Sequence, residues 1–156
     1  MRFDNQTTIV TGSASGIGRS IAELFAKQGA NVVIADIDDH AGQETESKIT
    51  KAGGQAIFKH TDVSKEDEVE EMVAGTIEHF GSVNILVNNA ATFIFGSIEE
   101  ASAEDWRRVF EVNVIGYRNC IKAVSPHMRA LGHGSIVNIA SQSGFIAEPK
   151  SAPYNT

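Results

Sequence analysis

The stretch "TTIVTGSASGIGRS", residues 7–20, decides the fold. It begins with a β-branched run that is typical of a strand, and glycines at 12, 16 and 18 lead into a segment with helical periodicity that stops at Gly29. A glycine-rich turn between a strand and a helix lets the backbone approach a phosphate, and the helix N-terminus supplies free N–H groups. The spacing is G-x3-G-x-G and Arg19 follows the last glycine, so the turn is not a P-loop. We interpret it as a candidate phosphate-binding turn, with a plain glycine-rich turn as the alternative.

Strand and helix alternate along the rest of the chain. Further strands are predicted at 31–36, 55–60, 83–89 and 134–141, and further helices at 39–52, 64–81 and 103–130. Capping boxes at Ser64–Asp67 and Ser102–Asp105 are predicted to open the last two helices. Such alternation predicts an α/β fold: a doubly wound parallel sheet of five strands with helices on both faces, in one domain over residues 1–156. In such sheets ligands bind beyond the carboxyl ends of the strands.

Polar side chains stand at several of these strand ends. Asp36 closes the second strand about 20 residues after the glycines, where a carboxylate can accept hydrogen bonds from ribose hydroxyls; a solvated loop carboxylate is the alternative. Asp62 and Val63 follow the third strand, and "NNAA", residues 88–91, follows the fourth. Two asparagines at the end of a buried strand need hydrogen-bond partners, so we expect them to hold neighbouring loops.

The long helix carries an unexpected amide. Its large apolar side chains form a predicted core stripe: Trp106, Phe110, Tyr117, Ile121, Val124 and Met128. Asn113 falls on the same stripe. It is therefore either a structural hydrogen-bonder or part of a site, and the sequence leaves both open.

Composition and charge argue against several functions. The 156 residues carry a formal charge of −7 with scattered Lys and Arg, which argues against nucleic acid or an anionic membrane as partner. The N-terminus lacks the apolar stretch of a signal peptide, and no apolar run is long enough to span a membrane, so we expect a cytoplasmic protein. Cys120 is the single cysteine and suits a small core residue, so no internal disulfide is possible. The five histidines show no paired spacing, so no metal site is predicted.

Taken in order, "TGSASGIG", Asp36, "DV" at 62–63, "NNAA", Asn113, Ser141 and Tyr154 resemble the short-chain dehydrogenase/reductase family in its compact form. The resemblance runs from Thr7 to the end of the chain and implies a Rossmann-type domain that is incomplete at its C-terminus, because the family's last strands and helices would follow. It implies cofactor contacts at Gly12, Ser15, Gly16, Ile17, Gly18, Asp36, Asp62, Val63, Asn89, Ala90 and Ala91. It implies NAD rather than NADP, because Asp36 would repel a 2′-phosphate and Ser15 stands where NADP-preferring members often have a basic residue. Ala91 departs from the family's usual "NNAG".

The resemblance implies an oxidoreductase that transfers a hydride between NAD and a small alcohol or ketone. Tyr154 would handle the proton, Ser141 would bind the substrate oxygen, and Asn113 would hold a water on the proton path. A sugar alcohol, a cyclic ketone and an acyl chain all stay open as substrates. Similar proteins form homodimers or homotetramers, here implied through helix 103–130. Alternatives are a non-catalytic NAD-binding or interaction module, and a flavodoxin-like phosphate-binding protein.

The end of the chain bears on activity. The family places a lysine four positions after its catalytic tyrosine, which lies past the last residue, Thr156. That ammonium would lower the pKa of Tyr154 towards neutral pH. We therefore expect this chain to be the N-terminal part of a longer protein and to be inactive by itself. We also expect the fifth strand, apolar on both faces, to form an open edge that invites aggregation or pairing.

Overall fold

A computed structural model describes residues 2–155. The strands are Thr7–Thr11 (β1), Asn31–Asp36 (β2), Gln55–His60 (β3), Ile85–Asn88 (β4) and Ser135–Asn138 (β5). The helices are Gly16–Lys27 (α1), Asp39–Lys51 (α2), Glu66–Phe80 (α3), Ala103–Phe110 (α4) and Gly116–Leu131 (α5). A π-helical segment, Glu111–Ile115, joins α4 to α5, and a 3-10 turn covers Gln142–Gly144.

All strand pairings in the sheet are parallel, in the order β3-β2-β1-β4-β5. The chain winds outward from β1 in one direction to β3 and then returns to the other side of β1 for β4 and β5. Ile9 is paired with Val33 on one side and with Leu86 on the other. The carboxyl ends of β1, β2 and β4 therefore meet at the point where the winding reverses, and the predicted doubly wound fold is confirmed.

Alternating strand residues build a core on each face of the sheet. Ile9 and Val33 are fully buried against α3 and α5, whereas Val10 and Ile34 are fully buried against α1 and α2. Burial on both faces explains why these strands are nearly continuous apolar runs. The central strands are fixed from both sides, so their ends form a rigid base for the loops that follow.

One of the two predicted helix caps is wrong. The predicted box at Ser64 does not form, because the backbone N–H and the hydroxyl of Ser64 both bond to Oδ1 of Asp62, at 3.0 and 2.7 Å. Helix α3 begins one residue later, after Lys65, without a side-chain cap. The box at Ser102 is confirmed: its N–H donates to Oδ2 of Asp105 over 2.8 Å, and its hydroxyl accepts from the N–H of Asp105.

The predicted core stripe of the long helix is wrong in its first half. Val109, Val112, Gly116 and Cys120 face the core, whereas Phe110 is 53% exposed. The π-helical segment widens one turn, so the faces on which side chains lie differ from those that a regular period of 3.6 residues predicts. Val124 and Met128, in the second half, are buried as predicted. Asn113 lies inside the π-helical segment, is half-buried and lines a cavity instead of joining the core.

Strand β5 forms one edge of the sheet. It is shorter than predicted, and the side chains of Ile136 and Val137 are 39% and 46% exposed. Within residues 2–155 this edge has the apolar character that the sequence predicts. None of the helices in that range has the length and apolar character needed to cross a membrane.

Candidate active site

The glycine turn after β1 lies against the loop that follows β4. Gly12 has a φ of 64°, and a Cβ built on it would stand 2.7 Å from Cα of Ala90. A Cβ on Gly18 would stand 2.6 Å from Nδ2 of Asn89. Both glycines are therefore required by backbone packing. A Cβ on Gly16 would meet nothing within 4 Å, so this part of the turn faces open space at the start of α1.

Asn89 locks the glycine turn to β4. Its Nδ2 donates to the carbonyl oxygens of Thr11, at 2.9 Å, and Gly12, at 3.0 Å. The Thr11 hydroxyl accepts from the N–H groups of Asn89 and Ala90, both at 3.0 Å. Asn88 donates to Oδ1 of Asn138 over 2.9 Å and thereby joins β4 to β5. The prediction that the two asparagines hold neighbouring loops is confirmed for Asn89, whereas Asn88 joins two neighbouring strands.

Asp36 is fixed at the end of β2 by two backbone donors. Its Oδ2 accepts from the N–H of Ala14 over 2.8 Å, and its Oδ1 accepts from the N–H of Asp38 over 3.1 Å. The carboxylate thus joins β2 to the middle of the glycine turn. Two oxygens offer about four acceptor positions, so two remain for a ligand.

A cavity of about 320 Å³ lies between these loops, which we name the first cavity. Eight of the predicted cofactor residues line it: Gly12, Ser15, Asp36, Asp62, Val63, Asn89, Ala90 and Ala91. Gly16, Ile17 and Gly18 do not; the Ile17 side chain is 68% exposed and Gly18 is buried. Lining residues that sequence reasoning missed are Ile37, Thr61, Thr92, Arg108 and Val112. Ile37 and Thr61 could have been found, because each directly follows a strand; Arg108 reaches the cavity only through packing of α4.

Arg108 and Asp62 form an ion pair at the wall of the first cavity. Nη1 of Arg108 lies 3.6 Å from Oδ2 of Asp62 and 3.3 Å from the Ser64 hydroxyl. Burial raises the pKa of Asp62, but hydrogen bonds from Ser64 and the charges of Arg108 and Lys65 outweigh it, so the pKa lies below its ordinary value. Asp62 is therefore ionised at neutral pH.

A second cavity, of about 420 Å³, brings the three predicted catalytic residues together. It is lined by Ala91, Trp106, Val109, Phe110, Asn113, Val114, Tyr117, Asn138, Ile139, Ala140, Ser141, Gly144, Phe145, Pro153 and Tyr154. Ala91 lines both cavities, so they adjoin at the loop after β4.

Asn113 fixes that loop. The N–H of Thr92 donates to its Oδ1 over 2.8 Å, and its Nδ2 donates to the Thr92 carbonyl oxygen over 3.0 Å. This reciprocal pair shows a structural hydrogen-bonding role. An amide has two donor and two acceptor positions, so one of each remains available.

Ser141 and Tyr154 are held by short local contacts. The Ser141 hydroxyl caps the 3-10 turn by accepting from the N–H of Ser143, at 3.2 Å. A parallel bridge pairs Gly96 with Ser151, and the Tyr154 N–H donates to the Ser151 carbonyl oxygen over 3.0 Å. The Tyr154 ring packs edge-on against Phe93 with centroids 4.6 Å apart. The bridge has no signal in the sequence, yet it sets the position of the tyrosine.

Tyr117 belongs to the second cavity rather than to the core. Its hydroxyl donates to the Ile139 carbonyl oxygen over 3.0 Å. Burial, and after it the nearby Tyr154, raises the pKa of Tyr117 to about 12. The group is therefore a neutral hydrogen-bond donor at neutral pH.

In residues 2–155 no three His, Cys, Asp or Glu side chains lie together as a metal would require.

The chain is similar to known oxidoreductases along almost its whole length. An uncharacterized oxidoreductase of Thermotoga maritima is 43% identical over 98% of this chain and 60% of its own length. A sorbitol dehydrogenase of Cereibacter sphaeroides is 41% identical over 99% of this chain and 59% of its own length. The crystal structure of a short chain dehydrogenase/reductase from Burkholderia phymatum, in complex with NAD, superposes with a TM-score of 0.95 at 36% identity, over 99% of this chain and 56% of that one.

The extent of these matches defines the relationship. The chain spans about 60% of the length of the curated relatives named above. A family model described as short chain dehydrogenase matches residues 6–156. Since that match begins before β1 and continues past the glycine turn, both cavities and Tyr154, the chain belongs to the short-chain dehydrogenase family.

Proposed function

We propose that the protein containing this chain is an oxidoreductase that transfers a hydride between NAD and a secondary alcohol or the corresponding ketone. The observation that carries the proposal is the junction of the two cavities at Ala91. The first cavity has the carboxylate and glycine turn that suit a dinucleotide, and the second has the hydroxyl groups of Ser141 and Tyr154. A cofactor in one and a substrate in the other would meet at this junction.

The residues of the first cavity and of the adjoining glycine turn fit NAD. Gly16 leaves open space at the N-terminus of α1, where a pyrophosphate is favoured by free N–H groups and the helix dipole. Asp36 keeps free acceptor positions for ribose hydroxyls, and its negative charge disfavours a 2′-phosphate. Asp62, Val63, Asn89 and Ala90 would complete the walls. The solved relative in complex with NAD supports the same choice of cofactor.

The residues of the second cavity fit proton handling. NAD, when bound, accepts the hydride from the alcohol carbon and becomes NADH. Ser141 would hydrogen-bond the substrate oxygen, and Tyr154 would take the hydroxyl proton, so that the alcohol loses one hydride and one proton and leaves as the ketone. Asn113 would hold a water with its remaining donor and acceptor positions, and its bonds to Thr92 would keep the junction at Ala91 in place.

The proposal is tested with the full-length protein and two measurements. A fluorescence titration with NADH should show saturable binding, and NADH should accumulate when NAD and a panel of secondary alcohols are supplied. Binding without turnover of any alcohol or ketone would instead favour a non-catalytic NAD-binding module. The absence of NADH binding would refute both.

We also propose that the full-length protein is a homodimer or homotetramer that associates through the helix at 103–130. This rests on the resemblance described above, in which similar proteins associate through the corresponding helix to form closed symmetric oligomers. Light scattering at micromolar concentration tests this, and a monomer would contradict it.

We propose a cytoplasmic location from the sequence, and fractionation of cells tests it.

A further inference from the structure

We infer that the substrate is an uncharged alicyclic or aromatic secondary alcohol with a single oxygen at the reacting carbon, rather than a polyol or an anionic substrate. The inference rests on the proposed function, because it concerns what occupies the second cavity. It is carried by the chemistry of the walls and by the hydrogen bonds that their polar groups already make.

Among the residues from 2 to 155, none with a charged side chain lines the second cavity. Five aromatic side chains line it: Trp106, Phe110, Tyr117, Phe145 and Tyr154. The first cavity differs, since Asp36, Asp62 and Arg108 line it. A carboxylate or phosphate in the second cavity would lose water without gaining a cation, which is costly. Flat apolar rings provide a large hydrophobic contact area.

The polar groups of the second cavity already make bonds to the protein. Asn138 accepts from Asn88 through its Oδ1, the Tyr117 hydroxyl donates its proton to Ile139, and Asn113 is paired with Thr92 through one donor and one acceptor position. The Ser141 hydroxyl bonds to the N–H and the hydroxyl of Ser143 only over 3.2 Å, so it and the Tyr154 hydroxyl are the best placed for a ligand. Two such groups suit the one oxygen that reacts, and further hydroxyls of a polyol would find few partners.

A second aromatic contact extends this wall. Phe93 packs edge-on against Tyr154 at 4.6 Å and against Phe95 at 4.5 Å, so the rings form a continuous row beside the candidate acid/base. Phe93 is 40% exposed and Phe95 is 77% exposed. A substrate ring beside Tyr154 would therefore meet carbon on this side as well.

Cyclohexanol and myo-inositol provide a direct test, because they share a six-membered carbon ring and differ in hydroxyl number. With the full-length protein and NAD, we expect kcat/KM for cyclohexanol to exceed that for myo-inositol and for xylitol by at least about 100-fold, since each unpaired hydroxyl lowers affinity by roughly tenfold. 4-Hydroxycyclohexanecarboxylate is the charged substrate in this comparison, and we expect its kcat/KM to be at least about tenfold lower than that of cyclohexanol.

The outcomes separate the inference from the proposed function. Equal or better turnover of a polyol or of the carboxylate would overturn the inference while the oxidoreductase proposal stands. NADH binding without oxidation of cyclohexanol would overturn it as well. If NADH does not bind, the proposed function itself fails, and the inference fails with it.

A pair of charge-introducing variants tests the wall itself. Phe145 is 92% exposed and lines the second cavity, so Phe145→Asp should fold and place a carboxylate at its rim. We expect KM for cyclohexanol to rise at least about tenfold while KM for NAD changes little. Ile146→Asp is the matched control, because Ile146 is adjacent, 64% exposed and absent from both cavity walls. Equal effects of the two variants would contradict the assignment of Phe145 to the substrate wall.

Discussion

The hydroxyl of Tyr117 donates a hydrogen bond to the carbonyl oxygen of Ile139 over 3.0 Å. Tyr117 lies one helical turn after Asn113, and Ile139 lies two residues before Ser141. The bond therefore joins the helix that carries one candidate site residue to the strand end that carries another. We regard Tyr117 as a positioning residue that sequence periodicity assigned to the core.

Replacing Tyr117 with Phe tests this role, because only the hydroxyl is lost and the ring can pack as before. We expect kcat of the full-length enzyme to fall about three- to tenfold with KM for NAD unchanged, since one neutral hydrogen bond contributes roughly 0.5–1.5 kcal/mol. A purely structural role would lower the free energy of unfolding and leave kcat in place.

The fall in the free energy of unfolding at alkaline pH should depend on Tyr117. Its pKa is raised from 10.0 to about 12 in the folded chain. Between these two values the folded state keeps a proton that the unfolded state releases, so the free energy of unfolding falls as pH rises from about 10 to about 12. Denaturant unfolding across that range should show a shallower decline in Tyr117→Phe than in the wild type. Parallel declines would contradict the raised pKa.

Asp36 should determine the choice between NAD and NADP. Asp36→Ser removes the negative charge that would repel a 2′-phosphate, so we expect the ratio of kcat/KM for NAD to that for NADP to fall at least about tenfold. Asp39→Ser is a suitable control, because Asp39 is exposed and pairs with His60 at 2.8 Å outside the first cavity. A wild-type preference for NADP would contradict the assignment.

Tyr154 should be required for turnover but not for cofactor binding. Tyr154→Phe keeps the edge-on packing against Phe93 and removes only the transferable proton. We expect NADH binding to persist and kcat to fall by far more than tenfold, the loss that corresponds to about 1.4 kcal/mol. A smaller loss would mean that another group is the acid/base.

The glycine turn should tolerate no added methyl at Gly18. Gly18→Ala would bring a Cβ within 2.6 Å of Asn89 Nδ2 and close to the Gly12 backbone. Overpacking of this kind costs about 1–3 kcal/mol, so chemical denaturation should show that loss. Gly144→Ala is the control, because its Cβ would meet nothing within 4 Å. Loss of NADH binding should accompany the loss of stability in Gly18→Ala alone.

The sequence predicts the sheet well because its signals are local. The runs at 7–11 and 31–36 are apolar since both faces of these strands are covered, and their observed bounds match. The cap at Ser102 is correct because the partner, Asp105, lies on the same turn. Ser64 has the same sequence pattern, but its N–H and its hydroxyl bond to the Asp62 carboxylate instead of forming the cap.

The parts of the site that sequence reasoning missed depend on contacts between distant segments. The π-helical turn at Asn113 alters helix periodicity, so Phe110 and Tyr117 face the second cavity instead of the core. Arg108 meets Asp62 only because the fold brings α4 beside the loop that follows β3. The bridge between Gly96 and Ser151 joins two irregular loops. None of these leaves a pattern within a single window of sequence.

The bonds between Thr11 and Asn89 also bear on how the protein folds. They join residues 78 positions apart, and β1 pairs with β4 across a similar interval. Helices α1 to α3 can form from local contacts, whereas closing such a long interval is slow. During synthesis the glycine turn therefore cannot acquire its final shape until the fourth strand has emerged from the ribosome. We expect refolding to recover helical circular dichroism first and NADH binding only afterwards, so that the cofactor site is among the last features to mature.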